Sequence, residues 1–188
     1  LSFHKFTEQI NLIRHGLPDF PEGKRMCIGT TDLPMAEAGL AQAAQMAEKL
    51  PPVTAVFSSP LTRAVQTAQA ISLPVTILED LRELHAGKWD GLTFDEIRRR
   101  YPELYAARGH DPTLPLPGAE DHAAGLARFR RGMEQAARTA PGDFAVVAHG
   151  GIIARFLQDI SGVWRKPDYA GIIPLIWENG HFLLQEES

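Results

Sequence analysis

A single cysteine, Cys27, stands among 188 residues, so no internal disulfide framework and no cysteine-based zinc cluster can form. A reducing, cytoplasmic setting is the simplest reading of that scarcity. Long apolar runs are missing too. None approaches the roughly 20 residues that a membrane-spanning helix needs, and no charged-then-apolar signal segment is found. Excess positive charge is absent: 19 Lys and Arg face 23 Asp and Glu, a formal net charge of −4. That balance argues against bulk nucleic-acid binding and leaves room for a small basic pocket. Repeats, low-complexity tracts and linkers are also missing. What remains is 44% hydrophobic and 22% charged, an ordinary globular composition, long enough for one domain with a sizeable core or two very small ones. The chain opens on Leu1 rather than methionine, and residues 1–9 are expected to be a leader or an added segment.

The residues present alternate between strand and helix signals. A short apolar run at 10–13 reads as a buried strand and stops on Arg14-His15-Gly16. Residues 17–34 then form a long connection with Pro18, Pro21, Gly23, Gly29 and Pro34, of the kind that usually borders a site. Leu40, Ala43, Ala44, Ala47 and Leu50 mark the inner face of a helix closed by Pro51-Pro52. A second strand covers 53–57, and Ser59-Pro60 are expected as cap and first-turn proline of the next helix, with Leu61, Ala64, Val65, Ala68 and Ile71 as its stripe. A third strand covers 75–78. Thr93 and Glu96 have capping-box spacing, so a helix runs from there to about Tyr101, and Pro102 begins a further short turn. A longer helix over 121–139 carries Leu126, Phe129, Met133 and Ala137 on one face. A fourth strand at 144–148 stops on His149-Gly150-Gly151, and a last helix buries Ile152, Ile153, Phe156, Leu157 and Ile160. Asn179-Gly180 between apolar runs at 172–177 and 182–184 signals a C-terminal hairpin. The alternation predicts a single α/β domain with a mostly parallel sheet flanked by helices on both faces.

Two strands thus end on histidine-glycine, and parallel strands put their carboxyl ends on one edge, so His15 and His149 are expected to face one crevice. Arg14 ends the first strand, and Arg63, about one turn into a helix, leans back over the same edge. The Gly150-Gly151 backbone offers N–H groups at a helix start. Two arginines, two histidines and a helix start suit a dianionic phosphoryl group. A metal site is the rival, but no carboxylate-rich spacing supports it, and the arginines would repel a cation. The bland alternative for Arg14-His15 is a satisfied histidine beside a surface arginine. Phosphoryl transfer also needs a proton for the leaving oxygen, for which Glu83, in a glycine-bounded loop, is the best candidate; its bland alternative is a solvated charge. Histidines 4, 110, 122 and 181 read as surface residues, and His85 as a residue of the substrate mouth. Trp89 and Tyr101 read as packing, and Arg98-Arg99-Arg100 as a solvated helix face.

Taken in order, Arg14-His15-Gly16, Ser58-Ser59-Pro60-Leu61-Thr62-Arg63-Ala64 with Gln66-Thr67-Ala68, the segment 83–91 and Ala148-His149-Gly150 resemble the histidine phosphatase superfamily, the phosphoglycerate mutase-like group. The resemblance covers residues 10 to 165. It implies a phosphoglycerate mutase-like fold, transient phosphorylation of His15, phosphoryl oxygens held by Arg14, Arg63 and His149, and Glu83 as proton donor. It implies no metal and no cofactor. After Arg-His-Gly the family usually has Glu or Gln and later an Asn, whereas Leu17, Pro18 and Pro21 stand here; Thr30 is the remaining side chain of that loop for a phosphate contact. Pro117-Gly118-Ala119-Glu120-Asp121 resembles the family's turn, with Asp121 in place of its serine cap. The short stretch between Glu83 and His149 lacks the mutase insertion and favours the phosphatase branch, which includes α-ribazole phosphatase and broad-specificity phosphomonoesterases. The expectation is therefore an enzyme hydrolysing a small-molecule phosphate ester, with α-ribazole 5′-phosphate one candidate, no nucleic-acid or membrane partner, and a homodimer left open. The alternatives are a phosphoglycerate mutase or a non-catalytic phosphate-binding module; such a module would be expected to lack a pocket residue, and none is missing.

Overall fold

The computed structural model describes residues 7–185. Strand β1, Thr7–Arg14, lies inside a six-stranded sheet of order β3-β2-β4-β1-β5-β6. It runs parallel to β4, Phe144–Ala148, and antiparallel to β5, Ile172–Glu178. Beyond β4 lie β2, Ala55–Ser58, and β3, Val75–Ile77, both parallel. Strand β6, His181–Leu184, closes the expected hairpin onto β5 through Asn179-Gly180. The sheet is mixed and mostly parallel. Because side chains alternate across a strand, each central strand feeds two cores. Ile10, Leu12, Phe144 and Val146 face one, with Phe129 and Met133 of α5 (His122–Thr139) and Ile153 and Phe156 of α6 (Gly150–Ser161). Ile13, Ala145 and Val147 face the other, with Met46 of α1 (Glu37–Lys49) and Ala64 and Ala68 of α2 (Thr62–Gln69). Burial on both faces is why these strands read as continuous apolar runs.

Several local expectations are corrected. Residues 7–9, expected to be part of a leader or an added segment, pair with 176–178 in the sheet, and Glu8 is buried. Residues 1–6, including His4, lie outside the described residues. The buried face of α1 is Gly39, Ala43 and Met46, and Leu40 is exposed. The helix turns Gly39 against the backbone of Leu17, where a Cβ would stand 2.2 Å from the Leu17 carbonyl oxygen. Ser59 does not cap α2. That helix starts at Thr62, whose N–H and hydroxyl both donate to the Asp32 carboxylate, at 2.7 and 3.0 Å. A carboxylate from the long loop thus supplies the anion that the helix start favours. The capping box of Thr93 and Glu96 is present at α3, Phe94–Arg100. Pro102 opens a nine-residue helix, α4, Pro102–His110, rather than a single turn. Asp121 caps α5 by accepting from the Ala124 N–H.

Candidate active site

Strands β1, β2 and β4 end on the same edge, and the ladder runs one residue further: the His15 N–H donates to the Ala148 carbonyl and the Ser59 N–H to that of Val147. The two histidines therefore meet, with ring centroids 5.1 Å apart. His15 is 4% exposed and His149 fully buried. The polar partners of each ring decide its chemistry. His15 Nδ1 lies 2.7 Å from the Gly16 carbonyl oxygen, and a carbonyl only accepts, so Nδ1 carries the proton. In the neutral ring the free lone pair is then on Nε2. Burial, then the charge of Arg63, lowers the His15 pKa well below 6.5, so this neutral form dominates near pH 7. His149 is lowered in the same way by burial and then Arg63. Its Nε2 sits 2.7 Å from Ser59 Oγ, and its Nδ1 is buried without a partner.

The two arginines complete this floor. The Arg14 Nη1 donates to the Pro167 carbonyl at 2.9 Å, and its guanidinium carbon lies 4.1 Å from the centre of the Tyr169 ring. Arg63 donates to the carbonyls of Thr31 at 2.7 Å and Gly29 at 2.9 Å, so part of its fork holds the long loop instead of facing the crevice. In both residues Nε is buried without a partner. Arg14 Nε, Arg63 Nε and His149 Nδ1 form a set of unsatisfied nitrogens around His15. Unpaired buried donors are costly in a folded protein; the two guanidinium Nε–H groups fit an oxyanion, and His149 Nδ1 joins them in the tautomer in which the Ser59 hydroxyl donates to Nε2.

Glu83 is placed at the site but not as a free carboxylate. Its oxygens accept from the N–H groups of Leu84 (2.9 Å), Gly151 (2.9 Å) and Ile152 (2.8 Å). Of the Gly150-Gly151 pair expected as a free anion-binding helix start, the Gly151 N–H is taken, because the Glu83 carboxylate sits on the dipole. A Cβ on Gly151 would stand 3.0 Å from both carboxylate oxygens, so glycine lets the acid come this close. Gly150 lines the same pocket. Thr30 does not reach it. Its N–H and hydroxyl point to Asp90, whose carboxylate also takes the N–H groups of Thr31 and Ala86 and the Thr31 hydroxyl. These bonds overcome the desolvation that would raise the Asp90 pKa, and lower it. Asp90 thereby ties the long loop to the 83–91 segment and fixes the carbonyls that receive Arg63. The motif threonine, Thr67, accepts the Gly16 N–H at 3.0 Å.

Above the floor opens a cavity of about 240 Å³. His85 lines it as expected, and His122 does too, against the surface reading. An Arg155 guanidinium nitrogen, which can only donate, meets His122 Nδ1, leaving the ring proton on Nε2. His110, His181 and the Arg98 to Arg100 run are exposed, and Trp89 and Tyr101 pack together at 5.9 Å. Lys166, Tyr169, Arg25 and Arg108 also line the cavity and escaped the sequence reading. Lys166 and Tyr169 sit in a polar loop after α6 with no periodicity, and only proximity to the Arg14 end of β1 reveals them. Burial and then Arg14 lower the Lys166 pKa. Among the described residues no cluster of three or more His, Cys, Asp or Glu side chains could hold a metal ion, and no helix is long and apolar enough to cross a membrane.

A parallel-sheet edge with paired histidines, paired arginines and a carboxylate at a helix start defines an α/β protein with a cationic, histidine-bearing pocket at the carboxyl ends of its strands. The chain belongs to the histidine phosphatase superfamily (branch 1), whose profile matches residues 10–185. It is 37% identical over 131 residues to a bifunctional protein of Mycobacterium tuberculosis, covering 66% of this chain and 36% of that protein, so it spans about a third of that relative's length. To the glucosyl-3-phosphoglycerate phosphatase of the same organism it is 34% identical over 164 residues, covering 79% of this chain and 73% of that protein. The solved structure of a mycobacterial glucosyl-3-phosphoglycerate phosphatase with VO3 superimposes with a TM-score of 0.82 at 28% identity, covering 95% of this chain and 97% of that one.

Proposed function

We propose that the chain is a metal-independent phosphomonoesterase that acts on a small phosphorylated metabolite through a phosphohistidine at His15. The observation that carries this reading is the His15 Nδ1 contact to the Gly16 carbonyl, which leaves Nε2 as a lone-pair donor beside three unpartnered nitrogens. In the first step Nε2 forms a bond to phosphorus as the ester P–O bond breaks, and Glu83 gives a proton to the departing alcohol oxygen. Arg14, Arg63 and His149 hold the three peripheral oxygens, over which the transition-state charge is spread. In the second step water attacks phosphorus, the N–P bond breaks, and Glu83 takes the water proton. Phosphate leaves, and His15 is neutral again.

α-Ribazole 5′-phosphate is one candidate substrate, and glucosyl-3-phosphoglycerate, for which relatives are named, is a second. The test is twofold. Unaltered protein releases p-nitrophenol from p-nitrophenyl phosphate in the presence of a chelator, and acid quenching traps labelled phosphate on His15. His15→Ala lowers kcat/KM by at least about 10³-fold, the scale on which loss of a nucleophile is felt. Label on another residue, or an active alanine variant, overturns the mechanism. Efficient interconversion of 3-phosphoglycerate and 2-phosphoglycerate would instead make the protein a mutase.

A further inference from the structure

The charges that line the cavity do not balance. Arg14, Arg25, Arg108 and Lys166 face it, and Glu83 is its one carboxylate, already taken by three backbone N–H groups. Among the described residues none of the four cations has a carboxylate within ion-pair distance. Arg14 and Lys166 adjoin the floor, where a single phosphoryl dianion would answer them. Arg25 and Arg108 do not belong to the floor: they come from the long loop and from α4, and they are exposed and half-buried where Arg63 is fully buried.

Both arginines are nevertheless held in place. The Arg25 guanidinium carbon lies 5.1 Å from the centre of the Phe94 ring, and that of Arg108 lies 5.6 Å from Trp89. Arg108 also donates to the Pro112 carbonyl at 2.8 Å. A guanidinium stacked on an aromatic face keeps in-plane N–H groups free for a planar or tetrahedral anion. The neighbouring thiol offers no counter-charge, since burial pushes the Cys27 pKa up to about 11. Asp111, three residues on from Arg108, turns instead to the N–H and hydroxyl of Thr113.

We propose that Arg25 and Arg108 form a second anion subsite at the cavity mouth, so that the favoured substrate is a phosphomonoester whose alcohol part carries its own acidic group. This rests on the phosphatase reading above and narrows it. Neither arginine belongs to the four short motifs quoted for the family resemblance. Esters with an uncharged alcohol part, α-ribazole 5′-phosphate among them, become the poorer substrates.

The test uses matched pairs that differ in one acidic group. 3-Phosphoglycerate is compared with glycerol 3-phosphate, and fructose 1,6-bisphosphate with fructose 6-phosphate, by phosphate release. The acidic member of at least one pair has a kcat/KM tenfold or more higher; the first pair reports a carboxylate and the second a phosphate in the subsite. In Arg25→Gln and Arg108→Gln that ratio falls toward one, whatever the absolute rates. Ratios near one in the unaltered protein overturn the subsite, and so does a high ratio that both variants keep. Should the unaltered protein release phosphate from none of these four esters and none from p-nitrophenyl phosphate, the phosphatase reading itself falls, an outcome distinct from either.

Discussion

The floor and the mouth of the cavity are built by different means. On the floor, Arg14, His15 and His149 stand on or just past strands whose backbone is locked by the sheet ladder, and Arg63 opens a helix packed on that sheet. His15, Arg63 and His149 are buried and Arg14 is half-buried, and the pKa of each is lowered first by burial. The mouth is assembled from the 17–34 loop, α4, the start of α5 and the loop after α6, four segments far apart in the chain. Its two arginines, Arg25 and Arg108, rest on the Phe94 and Trp89 rings, and they are exposed and half-buried where Arg63 is fully buried. A rigid, desolvated floor suits a common chemical step, because prearranged dipoles need no reorganisation when charge develops. A solvated mouth of separate loops suits selectivity, because each loop can vary without disturbing the sheet. Glu83 stands between the two, with its loop pinned by Arg128 to Glu120 and to the carbonyls of residues 80 and 82.

The contrast can be broken most sharply at Arg63. If its guanidinium both faces the phosphoryl group and holds the carbonyls of Gly29 and Thr31, a lysine replaces neither function. Arg63→Lys is expected to lose well over tenfold in kcat/KM, at least about 1.4 kcal/mol of transition-state stabilisation. Near wild-type kinetics would reduce Arg63 to a loop clamp and remove it from the floor.

A second test asks whether Glu83 acts with the floor or with the mouth. An alkyl phosphate has a basic leaving oxygen and needs a proton, whereas p-nitrophenolate departs largely unaided. Glu83→Gln should lower kcat/KM for alkyl phosphates about tenfold more than for p-nitrophenyl phosphate, an estimate within the usual range for general acid catalysis. The comparison belongs on kcat/KM or on the burst, since dephosphorylation slows equally for both. Equal losses would move the proton donor elsewhere. Asp90 and Glu120 are poorly placed to inherit the role, because both are engaged with loop amides or with Arg128 and neither lines the cavity.

The smallest effect is in pH. Buried His15 and His149 stay neutral below 6.5, where the same residues in the unfolded chain take up protons. The unfolded state then binds more protons, so stability falls as pH drops below 6.5, by up to about 1.4 kcal/mol per pH unit for each histidine until its folded pKa is reached. Above 6.5 neither contributes a slope. Denaturant midpoints at pH 7.5 and 5.5 should show the loss, and the acid limb of kcat/KM should lie below 6.5 because only the neutral ring attacks. A flat stability profile with an acid limb at or above 6.5 would place His15 in a solvated setting like the mouth.

Much of the floor could be read from the chain alone, since a strand that must be apolar on both faces ends abruptly on Arg14-His15-Gly16 and again on His149-Gly150-Gly151. Strand pairing then leaves only one edge for both ends. Periodicity also located the strands and the longer helices, because those elements are set by which residues must be buried. Tertiary structure alone decided that the Gly151 and Ile152 N–H groups serve Glu83, that Thr30 and Asp90 serve the loop, and that His122, Lys166, Arg25 and Arg108 share one cavity. Hydrogen-bond partners and charge neighbours contributed by loops have no period in sequence. Their positions follow from how those loops close over the sheet, and that is a property of the packed molecule.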